Sequence, residues 1–76
     1  MPHVEIKCFA GRDDGLKQQC AEKVAEAVAE TLGCRLSSVS VAIKEFAPED
    51  WKAEVWDKNI VPDEPYLYKK PGYTCE

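Results

Sequence analysis

Residues 39–46 read VSVAIKEF. Val39, Val41 and Ile43 fall on one side of this run, and Ser40, Ala42 and Lys44 on the other. A period of two over such a length predicts a strand. Before it, residues 15–32 repeat Leu16, Cys20, Val24, Ala27, Val28, Thr31 and Leu32 at steps of three and four, with Lys17, Gln18, Glu22, Glu26 and Glu30 around the outside. That spacing and the alanine content predict a helix of about five turns. Asp13 or Asp14 is placed to cap its start and Gly33 to stop it. Residues 2–9, PHVEIKCF, alternate again: Val4, Ile6 and Cys8 on one face, His3, Glu5, Lys7 and Phe9 on the other. The proline of this run is at the first position, where a strand tolerates it. Between these runs lie a breaker, AGRDDG at 10–15, and a short connection, CRLSS at 34–38. Strand, long helix and strand form a βαβ unit, whose crossover joins parallel strands and is right-handed in ~98% of cases. The expected class is α/β (α+β in some schemes), as a single domain over residues 1–76.

Beyond the second strand, Pro48-Glu49-Asp50 reads as a helix start, with proline early and acid in the first turn. Trp51, Val55 and Trp56 predict a short helix of two or three turns; for at least one tryptophan the ordinary role is core packing. Residues 59–76, NIVPDEPYLYKKPGYTCE, are broken by Pro62, Pro65 and Pro71-Gly72, yet hold Tyr66, Leu67, Tyr68 and Tyr73. A tail so aromatic is expected to wrap over the domain or a partner subunit. Lys69-Lys70 reads as a solvated pair.

A domain of 76 residues buries only ~60% of its unfolded surface and tends to need disulfides, a metal or a partner. Cys8, Cys20, Cys34 and Cys75 include no C-x-x-C pair, and one histidine, His3, does not make a zinc site. Self-association remains. One βαβ unit leaves both edges and one face of its two strands bare, and two strands are marginal alone. Two copies pairing edge to edge would give a four-stranded sheet with two helices on one side.

The formal charge of −4 gives no general attraction for nucleic-acid phosphates or anionic lipid. No apolar run approaches the ~20 residues of a membrane span. The charged, alternating start is unlike a secretory leader. With free thiols, these features lead to the expectation of a cytoplasmic protein.

Met1-Pro2 is the candidate chemical centre. Proline after the initiator methionine is small enough for that methionine to be trimmed, which would leave a free secondary amine, a base and nucleophile needing no cofactor. The dipeptide alone is a weak signal, since a proline before an edge strand costs nothing. Cys20 lies on the apolar stripe and is expected to be a buried core thiol rather than a nucleophile. Arg12, taken alone, is a loop charge.

The chain resembles the 4-oxalocrotonate tautomerase family. The resemblance rests on Met1-Pro2 opening a strand, Phe9-Ala10-Gly11-Arg12-Asp13 at its end, the amphipathic helix, and Leu36-Ser37-Ser38-Val39-Ser40-Val41 leading into the second strand. Pro2-His3-Val4-Glu5-Ile6-Lys7-Cys8-Phe9, Pro48-Glu49-Asp50-Trp51 and Lys69-Lys70-Pro71-Gly72-Tyr73 make it most similar to the small bacterial dimeric phenylpyruvate-type tautomerases. The resemblance implies that Pro2 is the catalytic base, Arg12 the ligand of a substrate carboxylate, and Trp51 the aromatic wall that keeps the proline in an apolar setting. It implies an isomerase of small 2-keto or enol acids, a homodimer with a hexamer as the alternative, and neither cofactor nor metal. The family's second arginine, which polarises the substrate carbonyl, falls on Ser40. That departure argues against doubly charged substrates and leaves Arg35, Lys44, Lys69 or Lys70 as replacements that no spacing selects.

The chemistry fits the residue types. Tautomerisation moves one proton between oxygen and carbon, and an efficient base has a pKa near the working pH. An α-amine starts at ~7.7–8.0, and burial and neighbouring cations lower it. A carboxylate held by Arg12 would fix the reacting carbon near the amine. Two alternatives stay open: a decarboxylase or dehalogenase-like enzyme using the same amine, or a dimeric binding protein without activity. With Met1 attached, the Pro2 nitrogen is an amide with no basic lone pair.

Overall fold

Strand β1, His3–Phe9, and strand β2, Ser40–Phe46, lie side by side and parallel, in register from His3 beside Ser40 to Phe9 beside Phe46. Helix α1, Asp14–Leu32, joins them in a computed structural model that describes residues 1–76. The βαβ unit read from the sequence is therefore the architecture, with each strand starting one residue later than expected.

The helix ends follow from local chemistry. Asp13 is the cap: its Oδ1 accepts the Leu16 N–H at 2.8 Å while its own backbone stays extended. Asp14 supplies the acid of the first turn. At the other end Gly33 turns left-handed, with φ of 71°, and the N–H groups of Gly33 and Cys34 both donate to the Ala29 carbonyl. Gly11, with φ of 131°, makes the turn after β1 that a side chain would strain. Just before it, the Ala10 N–H donates to the Phe46 carbonyl at 2.9 Å and closes the ladder.

α1 lies over the face that carries Ile6, Cys8, Val41 and Ile43. The expected phase of its apolar stripe needs correction. Lys17, Ala21, Val24, Ala25, Val28 and Ala29 are the half-buried positions, whereas Leu16, Cys20, Ala27, Thr31 and Leu32 are exposed. Cys20 is accordingly not a buried core thiol within one chain. The cause is the alanine-rich sequence. Small residues at 21, 25, 27 and 29 make two adjoining apolar stripes, and the one with smaller side chains packs closely on the sheet.

The second face is not bare either. Residues 48–50 form a 3₁₀ turn, and the short helix expected after it is present over Lys52–Ile60, wound as a π-helix. Its end is marked by the Val61 N–H donating to the Trp56 carbonyl, five residues back. Spacings of four and five between Trp51, Val55, Trp56 and Ile60 suit this wider turn, which brings Val55, Asn59 and Ile60 inward together. Trp51 meets Phe46 edge-on at 6.4 Å, and Lys7 donates to Asn59 Oδ1 at 2.5 Å. The tail returns over this helix: Tyr73 packs against Trp56 at 5.4 Å, while Tyr66 and Tyr68 point to solvent.

Only Val55, 3% exposed, is fully buried. The chain exposes 5870 Å², whereas a compact monomer of its mass would expose about 4,650 Å². Its radius of gyration, 13.8 Å, also exceeds the ~11.4 Å of a compact domain of this length. Leu16, Leu32, Leu36 and Val61 are each more than half exposed. No helix is long and apolar enough to cross a membrane.

Candidate active site

The end of β1 and the start of the π-helix frame the main groove, about 600 Å³ in volume. Phe9, the last residue of β1, and Phe46, the last of β2, both meet the Trp51 indole edge-on, Phe9 at 5.2 Å. The indole N–H donates to Tyr73 Oη at 3.1 Å, so the tail helps to hold the ring. Arg12 sits just beyond the Gly11 turn, and its Nη1 donates to the Phe9 carbonyl at 3.2 Å. That contact anchors the guanidinium beside Phe9. Arg12 takes part in no ion pair.

Three cations, Lys7, Arg12 and Lys52, share the groove with one carboxylate, Glu49. A positive groove in an acidic chain concentrates anions locally. Two of the cations already have partners: Lys52 lies 3.0 Å from Asp57 Oδ2, and Lys7 lies 3.5 Å from Glu5 Oε1. Arg12 is thus the cation left for a ligand, and its planar fork suits a carboxylate. Aromatic rings beside a guanidinium make a site for an anion with a flat apolar part.

Pro2 is not part of this groove. It stands at the opposite end of β1, half-buried, with its carbonyl accepting the Ser40 N–H at 3.2 Å. Seven strand steps of ~3.3 Å put it roughly 23 Å from Phe9 within one chain. Beside it, the Ser40 hydroxyl and His3 Nδ1 share a hydrogen bond of 2.6 Å. Of the cations considered as substitutes for an arginine at position 40, Lys44 is held by Glu5 at 2.8 Å and Lys70 lies 3.9 Å from Glu64. The Lys44 hydrogen bond, with further help from the charges of Lys44 and Lys7, holds the Glu5 carboxyl below the usual carboxylate range. None of the four candidates lines the groove that contains Arg12.

The profile of one protein family, described as tautomerase enzyme, matches residues 2–57. The chain belongs to the tautomerase family. It is an isomerase, and the relatives agree. Tautomerase PptA of Enterobacter sp. (strain 638) is 49% identical over 76 residues, covering 97% of this chain and 99% of that one. Tautomerase PptA of Escherichia coli O157:H7 is 39% identical over 75 residues, covering 97% and 99%. Among solved structures, YwhB, a homologue of 4-oxalocrotonate tautomerase, superposes with a TM-score of 0.59 at 41% identity, over 60% of this chain and 75% of that one. TomN, a 4-oxalocrotonate tautomerase homologue of the tomaymycin biosynthetic pathway, gives 0.64 at 30% identity, over 66% and 77%. These structural matches cover only 60% and 66% of this tautomerase, whereas the two PptA tautomerases match over nearly its full length.

Of the three residues singled out in the sequence, Arg12 and Trp51 meet in one groove and Pro2 stands apart. Lys7, Lys52 and Tyr73 were missed. Lys7 carried a usable signal, since it shares a strand face with Phe9. Tyr73 was legible only as part of an aromatic tail expected to wrap over the domain, because nothing local relates it to a tryptophan 22 positions earlier.

Proposed function

We propose that this tautomerase interconverts the keto and enol forms of small 2-keto acids of the phenylpyruvate type. The α-amine of Pro2, exposed by loss of Met1, is the general base. Arg12 binds the substrate carboxylate, and Trp51 forms the apolar wall. The site joins two chains of a homodimer. The observation that carries this reading is the position of the Arg12–Trp51 groove at one end of β1 and of Pro2 at the other, on a strand with a free edge. Antiparallel pairing of two β1 strands sets the start of each beside the end of its partner, so each Pro2 approaches the partner's groove. The exposed area beyond that of a compact monomer, roughly 1,200 Å² per chain, is ample for such an interface.

In the mechanism, Arg12 takes the carboxylate bidentately and the aromatic wall receives the side chain. The neutral amine accepts the enol proton, and the resulting ammonium delivers a proton to the adjacent carbon. The apolar surroundings and the nearby guanidinium both favour the neutral amine before reaction. Ser40 brings no cation to the substrate carbonyl, which favours singly charged acids.

The test is enol-to-keto turnover of phenylpyruvate by protein whose mass shows loss of Met1. Pro2→Ala is expected to lose ~10²–10⁴-fold in kcat, and Arg12→Ala to raise KM chiefly. Protein retaining Met1 is expected to be inactive. Turnover at the wild-type rate by Pro2→Ala would reject the assignment.

A further inference from the structure

We propose that Tyr73 is a specificity-determining residue, which makes the groove select acids with a flat aromatic group over short aliphatic ones by fixing the Trp51 indole. The choice of substrates rests on the tautomerase reading above; the role of Tyr73 rests on geometry. Trp51 is held by Phe9 and Phe46 through ring edges alone, at 5.2 and 6.4 Å. Such contacts tolerate rotation, because the indole torsion next to the ring has a broad minimum. The bond from Trp51 Nε1–H to Tyr73 Oη, at 3.1 Å, is directional and sets one orientation. Tyr73 is steadied in turn by Trp56, its ring tilted 44° at 5.4 Å. Tyr73 also lines the groove with Arg12 and Trp51.

The consequence is selective. A substrate aryl group buries its area on the fixed indole, and aromatic contact of this kind depends on ring orientation. A methyl-bearing acid uses the Arg12 guanidinium and gains little from the wall. Removing the tyrosine hydroxyl therefore weakens aryl substrates and leaves short ones nearly unaffected. Tyr73 is a positioning residue in this scheme, acting through Trp51.

The experiment compares wild type, Tyr73→Phe, Trp51→Phe and the double variant. It measures kcat/KM for the enols of phenylpyruvate and pyruvate, and the binding of unreactive phenylacetate and acetate by titration followed in the indole N–H region of NMR spectra. Loss of one ordinary hydrogen bond corresponds to ~3–10-fold. Tyr73→Phe is expected to weaken phenylacetate, and to raise KM for the aryl enol, by about that factor, with acetate and the pyruvate enol changed by less than ~2-fold. In Trp51→Phe, which has no N–H to hold, adding Tyr73→Phe is expected to cost nothing more. Equal losses for aryl and aliphatic ligands, additive losses in the double variant, or no saturable phenylacetate binding by wild type would each overturn the inference. Discriminating phenylacetate binding without turnover of either enol would instead remove the tautomerase substrates and leave Tyr73 in its role.

Discussion

Lys17 and Glu45 carry the charge contact between α1 and β2, and they do so beside the turn that presents Arg12. Lys17 Nζ lies 2.7 Å from Glu45 Oε1 and 3.2 Å from Asp14 Oδ1. The hydrogen bond from Lys17 holds the Glu45 carboxyl below its usual range, with the Gly11 N–H a smaller contributor. The bonds to Glu45 and then Asp14 hold the Lys17 ammonium above its own. A carboxyl whose pKa is lower folded than unfolded adds stability that is complete above the unfolded value, ~4.3, and is lost as pH falls through the folded one. The raised lysine adds stability that is complete below ~10.4 and is lost as pH rises through its folded value. Both side chains remain about a quarter exposed, so water screens the pair and the effect is small. Glu45→Gln is expected to lower the urea midpoint slightly at neutral pH. The gap should close as acid titrates Glu45, below about pH 4. A gap that is constant down to pH 2 would show that the substitution acts through packing instead.

The secondary elements differ in how far short-range pattern dictates them. β1 and β2 alternate apolar and polar residues because each has two faces with different neighbours, and that difference is written residue by residue. α1 announces its existence through its spacing and caps but not its phase, because the alanines leave two stripes of similar apolarity. The segment after β2 is the hardest. Pro48 and the first acids say that a helix begins, while its winding depends on fitting Trp51, Val55 and Ile60 against Phe46 and β1. Arg12 and Trp51 stood out as candidate site residues through family resemblance, and their meeting in one groove is a tertiary fact. Tyr73 reaches Trp51 only because the π-helix carries Trp56 to where the tail can return. That helix depends on Val55, the single fully buried side chain, 3% exposed. Val55→Ala removes two carbons, about 1.6 kcal/mol of transfer energy, plus a cavity term, so about 2–3 kcal/mol is expected. Denaturation at fixed protein concentration checks it, with the Trp51 indole N–H signal followed in parallel. A π-helix braced by Val55 is expected to loosen first, so this signal broadens in Val55→Ala before β1 and β2 amides lose protection. Simultaneous loss would mean that the helix and sheet form one unit.

In the proposed homodimer a second copy of the chain covers the surplus of exposed area and pairs with the free edge of β1. The face requirement narrows the pairing. Residues directly opposite in an antiparallel pair lie on the same face, so Val4, Ile6 and Cys8 of one chain must meet residues of that set, and His3, Glu5, Lys7 and Phe9 must meet theirs. Three central registers satisfy this: Glu5 opposite the partner's Glu5, Ile6 opposite the partner's Ile6, or Lys7 opposite the partner's Lys7. The first and last set like charges against each other, which is destabilising. The middle one sets Glu5 opposite the partner's Lys7 twice, brings His3 opposite the partner's Phe9, and puts Pro2 opposite the partner's Ala10, two residues from Arg12. It is therefore the register that the charges favour and that the proposed role of Pro2 needs. Opposed residues at the twofold axis lie ~4.5–5.5 Å apart between Cα atoms, within disulfide range. Ile6→Cys is expected to give a covalent dimer on mild oxidation with glutathione disulfide, with the linked peptide identified by mass. Glu5→Cys and Lys7→Cys should cross-link poorly under the same conditions. A strong cross-link at position 5 or 7 with none at position 6 would refute this register and, with it, the route by which Pro2 reaches the partner's Arg12.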